Sequence, residues 1–128
     1  MFREFAASRA GLASAIDHVQ EICKTQGAGS EIANPLCVIL DEMIGNLMTH
    51  GRVGAEQVFG VQLAAHPGGA QMVIRDAGPP FDPLNWPPDE RAKIGGHGIA
   101  LTKGLAQDLS YTRDGPFNLL TANVSSTS

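Results

Sequence analysis

Hydrophobic residues recur every three or four positions in two stretches of the first fifty residues, which is the period of an amphipathic helix. The first stretch begins after Ser8, a residue that can cap a helix, and the Gly-Ala-Gly segment at 27–29 ends it. Asn34 and Pro35 form a typical helix start, with proline at the position where a missing N–H costs nothing. We therefore expect two helices, the second running from Asn34 to about Thr49.

Beyond the second helix the hydrophobic period changes from 3.6 to 2, which is typical of strands with one buried face. The strand-like segments are residues 58–65, 71–75, 109–114 and 117–124. Asp114-Gly115 is a strong hairpin signal, a third helix is predicted from Gly98, and residues 1–7 could form a short edge strand. Antiparallel hairpins with three helices on one face predict an α+β fold, a two-layer sandwich with a mostly antiparallel sheet.

The chain has 128 residues, a net charge of −4, and 43% apolar against 17% charged residues. These values predict one globular domain over residues 1–128, and the negative charge argues against direct nucleic-acid binding. Cys23 and Cys37 fall in apolar helical patterns and are predicted to be buried free thiols. Because no apolar run reaches about 18 residues and no signal segment is present, we expect a cytoplasmic protein with no membrane contact.

The second helix carries the first candidate motif. Residues four apart share one face of a helix, so Glu42, Asn46 and His50 form a polar stripe. The apolar side, which must be buried, consists of Ile39, Leu40, Met43, Ile44 and Leu47. A carboxylate can polarise a hydroxyl, and an amide oxygen one turn away can hold magnesium, which suits phosphoryl transfer. The alternative is the solvated face of an ordinary amphipathic helix.

Two further motifs flank a segment of about twenty residues with five prolines, and loops of that length are usually functional. Asp76-Ala77-Gly78 follows a strand, so its carboxylate could accept from an exocyclic amine such as that of adenine; alternatively, it is an Asx turn. Gly95-Gly96-His97-Gly98 precedes a helix, where backbone N–H groups favour phosphate; alternatively, it is a flexible hinge. Neither a P-loop nor a dinucleotide fingerprint is present.

Together the three motifs resemble the ATP-binding module of DNA gyrase, histidine kinases, mismatch-repair ATPases and related chaperones, the GHKL superfamily. The tracts that carry this resemblance are Glu42-Met43-Ile44-Gly45-Asn46 with His50-Gly51, then Asp76-Ala77-Gly78, then Gly96-His97-Gly98. Within the superfamily, the chain is similar to bacterial anti-sigma factors that are serine kinases, over residues 8–124. The additional tracts are Pro80-Phe81-Asp82-Pro83 after Gly78, and Ile99, Asp108 and Tyr111 after Gly98.

The resemblance implies a Bergerat-type fold that binds ATP and magnesium, with residues 79–97 as a lid over the nucleotide. Glu42 would be the base that activates a serine hydroxyl, and Asn46 would coordinate magnesium. Asp76 would accept from the adenine amine. The other implied nucleotide-binding positions are His50, Gly78, Phe81, Gly96, His97, Gly98 and Asn118.

Two functions follow from the resemblance. The first is an anti-sigma factor that phosphorylates an anti-anti-sigma (STAS-type) partner on serine or threonine, sequesters a sigma factor, and forms a possible homodimer. The alternative is a regulatory module of the same fold that binds ATP or a partner without transferring phosphate. Glu42 favours the kinase, whereas the alternative is favoured by Ile94 and Gly95, which stand where the family often has an arginine near the terminal phosphate.

Overall fold

The computed structural model describes residues 1–50, 57–78 and 108–125. Its elements in chain order are β1 Arg3–Ala6, α1 Arg9–Thr25, α2 Ser30–His50, β2 Val58–His66, β3 Gly69–Asp76, β4 Asp108–Asp114 and β5 Phe117–Ser125. The strands form one sheet in the order β1-β2-β3-β5-β4, and every neighbouring pair is antiparallel. The predicted α+β fold with an antiparallel sheet is confirmed. The helix predicted from Gly98 lies outside the described residues.

Both helices pack on one face of the sheet, the face on which the buried apolar side chains of the strands lie. α1 lies against β1 and β2, whereas α2 lies against β3 and β5 and also packs on α1. The largest fully buried side chains between the layers are Phe59, Ile32, Leu36, Ile39, Leu40, Ile44, Met72, Val19 and Val61. Of the predicted apolar side of the second helix, Ile39, Leu40, Met43 and Ile44 are buried and Leu47 is half-buried. Neither helix has the combination of length and hydrophobicity that crossing a membrane requires.

The ends of α1 follow the signals in the sequence. Ser8 is the N-cap, and its hydroxyl accepts a hydrogen bond from the N–H of Gly11 at 3.1 Å. The helix ends before Gly27, whose φ of +78° is a conformation that residues with a Cβ rarely adopt. Both predictions for this helix are confirmed.

The predicted start of α2 at Asn34 and Pro35 is wrong, because the helix begins at Ser30. Pro35 therefore lies in the second turn, where its missing N–H removes one helical hydrogen bond and its ring crowds the preceding turn, at about 3 kcal/mol. Ile32 and Leu36 flank the proline and are both completely buried. Each such burial contributes roughly 1.5–3 kcal/mol, which offsets the proline and keeps the first turn helical.

The outer face of the sheet carries a cluster centred on Arg75, one residue before Asp76 in β3. Its guanidinium carbon lies 4.1 Å from the ring centre of Phe2 and 4.9 Å from that of Phe117. A guanidinium over an aromatic face is attracted by the ring quadrupole. Glu4 adds an ion pair at 3.9 Å. The cluster ties the start of the chain and β5 to the middle strand, and β1 is thereby confirmed as the edge strand.

Three titratable side chains of the two helices, those of His18, Cys23 and Cys37, have structural roles. His18 is half-buried against Phe5, with ring centres 5.7 Å apart, and burial and the charge of Arg3 lower its pKa. Cys23 is buried and Cys37 half-buried, and both are free thiols. Burial, followed by the nearby Cys23, raises the pKa of Cys37 to about 11. Its thiol is therefore protonated at neutral pH and chemically quiet.

The junction of β1 and α1 requires glycine at position 11. A Cβ added there would lie 1.8 Å from the carbonyl oxygen of Ala6, so Gly11→Ala should lower the free energy of unfolding by about 2 kcal/mol or more. Gly45→Ala is the matched control, since its Cβ would meet nothing within 4 Å and alanine favours a helix by up to about 1 kcal/mol. Urea unfolding followed by circular dichroism measures both. Equal stability of the two variants would contradict this account of the junction.

Candidate functional site

Two residues predicted from separate tracts meet at the end of β3. Asp76 ends that strand, and the antiparallel register places Asn118 of β5 directly opposite. The Nδ2 of Asn118 donates to Oδ1 of Asp76 at 3.0 Å, and the backbone N–H of Gly78 donates to the same oxygen at 2.9 Å. The bond from Gly78 is an Asx turn, so that local interpretation of the motif also holds. Because both bonds fall on Oδ1, Oδ2 remains available to accept from a ligand.

The other side of Asn118 is held by two residues of β4. Its Oδ1 accepts from the hydroxyl of Tyr111 and from Nη1 of Arg113, the latter at 3.2 Å. The same Nη1 donates to the carbonyl of Gly78 at 2.8 Å. Asn118 itself is only 5% exposed, so these bonds replace the water that a buried carboxamide would otherwise need.

Arg113 belongs to none of the motifs from which the site was predicted. Asp114-Gly115 predicts a hairpin with a two-residue loop, and that loop length fixes which residues face each other across the strands. The observed loop is Gly115-Pro116, and Arg113 is accordingly paired with Asn118. A loop made of Asp114 and Gly115 themselves would instead pair Tyr111 with Asn118, so the turn signal in the sequence does not give the pairing of Arg113.

The polar stripe of α2 is not a solvated face throughout. Glu42 is half-buried, whereas Asn46 is only 7% exposed. The Nδ2 of Asn46 is buried without a hydrogen-bond partner. An unpaired buried amide is unfavourable by roughly 1–3 kcal/mol, so such groups usually indicate a missing ligand, ion or water. The helix that carries Asn46 packs on β3 and β5, the strands that carry Asp76 and Asn118.

The remaining predicted positions lie outside the described residues. They are the side chain of His50, Phe81, the lid at 79–97, and the glycine-rich tract of Gly96, His97 and Gly98. Their roles stay predictions. Among residues 1–50, 57–78 and 108–125, no group of three or more His, Cys, Asp or Glu side chains could hold a metal ion. The magnesium prediction therefore depends on the carboxamide of Asn46.

A groove of about 350 Å³ lies at the opposite end of β3 from Asp76. Its lining is Ala64, His66, Gly69, Ala70, Gln71, Asn123, Val124 and Ser125. None of these residues was predicted to bind a ligand, and the lining offers one titratable side chain, His66. The groove is separate from Asp76 and Asn118.

A family model described as the histidine kinase-like ATPase domain matches residues 5–123. The chain belongs to this family. Membership of the histidine kinase-like ATPase family implies ATP binding, which agrees with the acceptor oxygen at Asp76 and with the buried carboxamide at Asn46.

A solved structure of the RsbU and RsbW domains of Rv1364c from Mycobacterium tuberculosis has the same fold, with a TM-score of 0.67 and 14% identity. The match covers 98% of this chain and 32% of that one, so the present chain spans about a third of its length. At this identity the likeness shows the fold. No curated protein matches the sequence.

The acceptor geometry generates a prediction for Asp76→Asn. The amide nitrogen that replaces one carboxylate oxygen cannot accept from an adenine amine, so the affinity for ADP should fall by about tenfold or more. Asp41→Asn is the matched control, because Asp41 is an exposed aspartate of α2. Titration calorimetry with ADP measures both variants. An unchanged affinity in Asp76→Asn would remove Asp76 from the site.

Proposed function

We propose that this chain is an ATP-binding anti-sigma factor that acts as a serine/threonine protein kinase on an anti-anti-sigma partner of the STAS type. The observation that carries the proposal is the buried side chain of Asn46, whose Nδ2 has no hydrogen-bond partner, one helical turn after the half-buried carboxylate of Glu42. The sequence tracts shared with anti-sigma serine kinases support the choice within the family. The likeness in fold to a chain with an RsbW domain agrees with that choice.

In this proposal the two ends of the site have different tasks. The Oδ2 of Asp76 accepts the adenine amine, which fixes the base against the end of β3. The carboxamide oxygen of Asn46 would hold the magnesium that accompanies ATP, and the ion would supply neutralisation of charge on the phosphates. Both residues are held by packed secondary structure, so their positions are set before the ligand arrives.

Glu42 has the task of the base. Its carboxylate takes the proton from the serine or threonine hydroxyl of the partner as that oxygen attacks the terminal phosphorus of ATP; the bond to the bridging oxygen breaks, and ADP is the leaving group. Glu42 and Asn46 lie four residues apart on α2, a spacing that puts both side chains on one face. The helix would therefore hold the base and the magnesium ligand next to each other without requiring a flexible loop.

The same proposal includes sequestration of a sigma factor, formation of a homodimer and a cytoplasmic location.

The second candidate function is a binding module that holds ATP or a partner without phosphate transfer. Ile94 and Gly95 favour it, since an arginine near the terminal phosphate would stabilise charge during transfer. The two candidates share nucleotide binding and differ only in whether Glu42 acts as a base.

Glu42→Gln separates the two candidates. Glutamine keeps the size of the side chain but cannot take a proton, so phosphate transfer to a serine-bearing STAS partner should fall by at least about 100-fold. The affinity for ADP should change by less than about threefold, because no ground-state contact is removed. Glu21→Gln, at an exposed position of α1, serves as control. Transfer of labelled phosphate measures the first quantity, and equal transfer by Glu42→Gln and the unmutated chain would reject the base.

Asn46→Ala tests the magnesium ligand. Removing the carboxamide should weaken the binding of ATP in the presence of magnesium by about tenfold, and should reduce the gain in affinity that magnesium gives. Asn34→Ala is the control, since Asn34 is exposed on the same helix. Calorimetry with ATP, with and without magnesium, measures both effects. An unaltered response to magnesium would show that Asn46 does not hold the ion.

A further inference from the structure

The carboxamide of Asn118 has two orientations that differ by a half-turn, and its neighbours distinguish between them. In the observed orientation, Nδ2 faces Oδ1 of Asp76 and Oδ1 faces Nη1 of Arg113. The reverse orientation would place an oxygen against the carboxylate and an amide N–H against a guanidinium. Both contacts would then be repulsive, because a carboxylate only accepts and a guanidinium only donates.

Arg113 and Tyr111 contribute differently to this choice. The guanidinium of Arg113 cannot accept, so it fixes which end of the carboxamide it faces. The hydroxyl of Tyr111 can donate or accept, so it strengthens the observed orientation without determining it. Arg113 also donates from Nη1 to the carbonyl of Gly78 and from Nε to the carbonyl of Gly115 at 3.1 Å. The guanidinium therefore joins the end of β3 to the β4–β5 turn.

The orientation of Asn118 decides where the acceptor of Asp76 is held, because a carboxamide oxygen in place of Nδ2 would repel the carboxylate from its position. With Nδ2 of Asn118 and the N–H of Gly78 both on Oδ1, the carboxylate is fixed and Oδ2 is the oxygen left to accept from a ligand. An acceptor matches the 6-amino group of adenine. It opposes the 6-oxo group of hypoxanthine or guanine, because two acceptors then meet without a proton between them.

We propose that Arg113 and Tyr111 are positioning residues that give this site its selectivity for 6-amino over 6-oxo purines, acting through Asn118 on Asp76. The inference rests on the proposed nucleotide site and adds to it the residues that determine its base selectivity. Neither residue needs to touch the nucleotide. Both lie on β4, the edge strand, whereas the acceptor lies on β3 in the middle of the sheet.

The experiment compares the affinities for ADP and IDP by calorimetry, since the two nucleotides differ at the 6-position of the base. The unmutated chain should prefer ADP by about 30-fold or more. Arg113→Met should lower that ratio by about tenfold and Tyr111→Phe by about threefold. Arg113→Lys should restore most of the selectivity, because its ammonium can donate to both acceptors that Nη1 serves. The ratio cancels any change in attraction for the phosphates that the lost charge causes.

Arg9→Met is the matched control, because it removes the same charge from an exposed arginine at the start of α1. It should leave the ADP/IDP ratio unchanged. Arg113 is also exposed, so Arg113→Met should fold, and thermal unfolding without nucleotide checks this. Tyr111→Phe keeps the ring and its packing, and therefore tests the network independently of any loss of stability.

A second readout uses the protein without nucleotide. The side-chain amide protons of Asn118 should exchange slowly in NMR spectra of the unmutated chain, and faster in Arg113→Met but not in Arg9→Met. A preference for ADP that survives in both Arg113→Met and Tyr111→Phe would overturn the inference and leave the proposed function intact. Equal binding of ADP and IDP by the unmutated chain would also overturn it. Failure to bind either nucleotide would overturn the proposed function and this inference with it.

Discussion

The antiparallel register between β3 and β5 is the constraint on which the candidate site depends. It places Asp76 opposite Asn118 and, one residue earlier, Arg75 opposite Leu119. Because side chains alternate between the faces of a sheet, a slip by one residue would turn the carboxylate of Asp76 toward the outer face. The hydrogen bond between Asp76 and Asn118 contributes little to fixing that register. Burial on one face and the arginine cluster on the other contribute far more.

Both faces of β3 support the same register. On the inner face Met72 and Ile74 are buried against the helices, opposite Ala122 and Leu120 of β5. Exposing even one of these side chains would be unfavourable by roughly 1.5–3 kcal/mol. On the outer face, Arg75 lies between two phenylalanine rings that come from different strands or strand ends. The position of the acceptor is thus a consequence of core packing, and the chemistry of the site follows from it.

The two buried polar side chains of the described residues, Asn46 and Asn118, differ in whether protein atoms satisfy them. This difference distinguishes a positioning residue from a ligand-binding residue. Asn118 has protein partners on both ends of its carboxamide, so its orientation is determined without a nucleotide. Asn46 has a buried nitrogen without a partner. An unsatisfied buried group of this kind is uncommon, and a bound ligand, ion or water is one way to compensate for it. In the proposed site, Asn118 is therefore the organising residue and Asn46 the one assigned to a ligand.

Sequence periodicity was sufficient for the helices and strands of the described residues, because burial on one face leaves a regular pattern. The start of α2 was not predictable from local signals, since Asn34 and Pro35 are a good cap sequence and burial of Ile32 and Leu36 outweighs it. Asp76 could be predicted because the residues around it carry a motif. The role of Arg113 could not be found from such a motif, because it depends on a pairing between strands.

The site therefore has two parts with separate physical origins. In the proposed site, recognition of the base depends on the register of the sheet and on a hydrogen-bond network that the strands complete by themselves. The proposed phosphate chemistry depends on the last turns of α2, where Glu42 and Asn46 lie, and on predicted residues beyond the described part of the chain. A substitution that removes the proposed base at Glu42 leaves the sheet untouched. Nucleotide binding can consequently persist without phosphate transfer, and for this reason the kinase and the binding module are alternatives within one architecture and not two different folds.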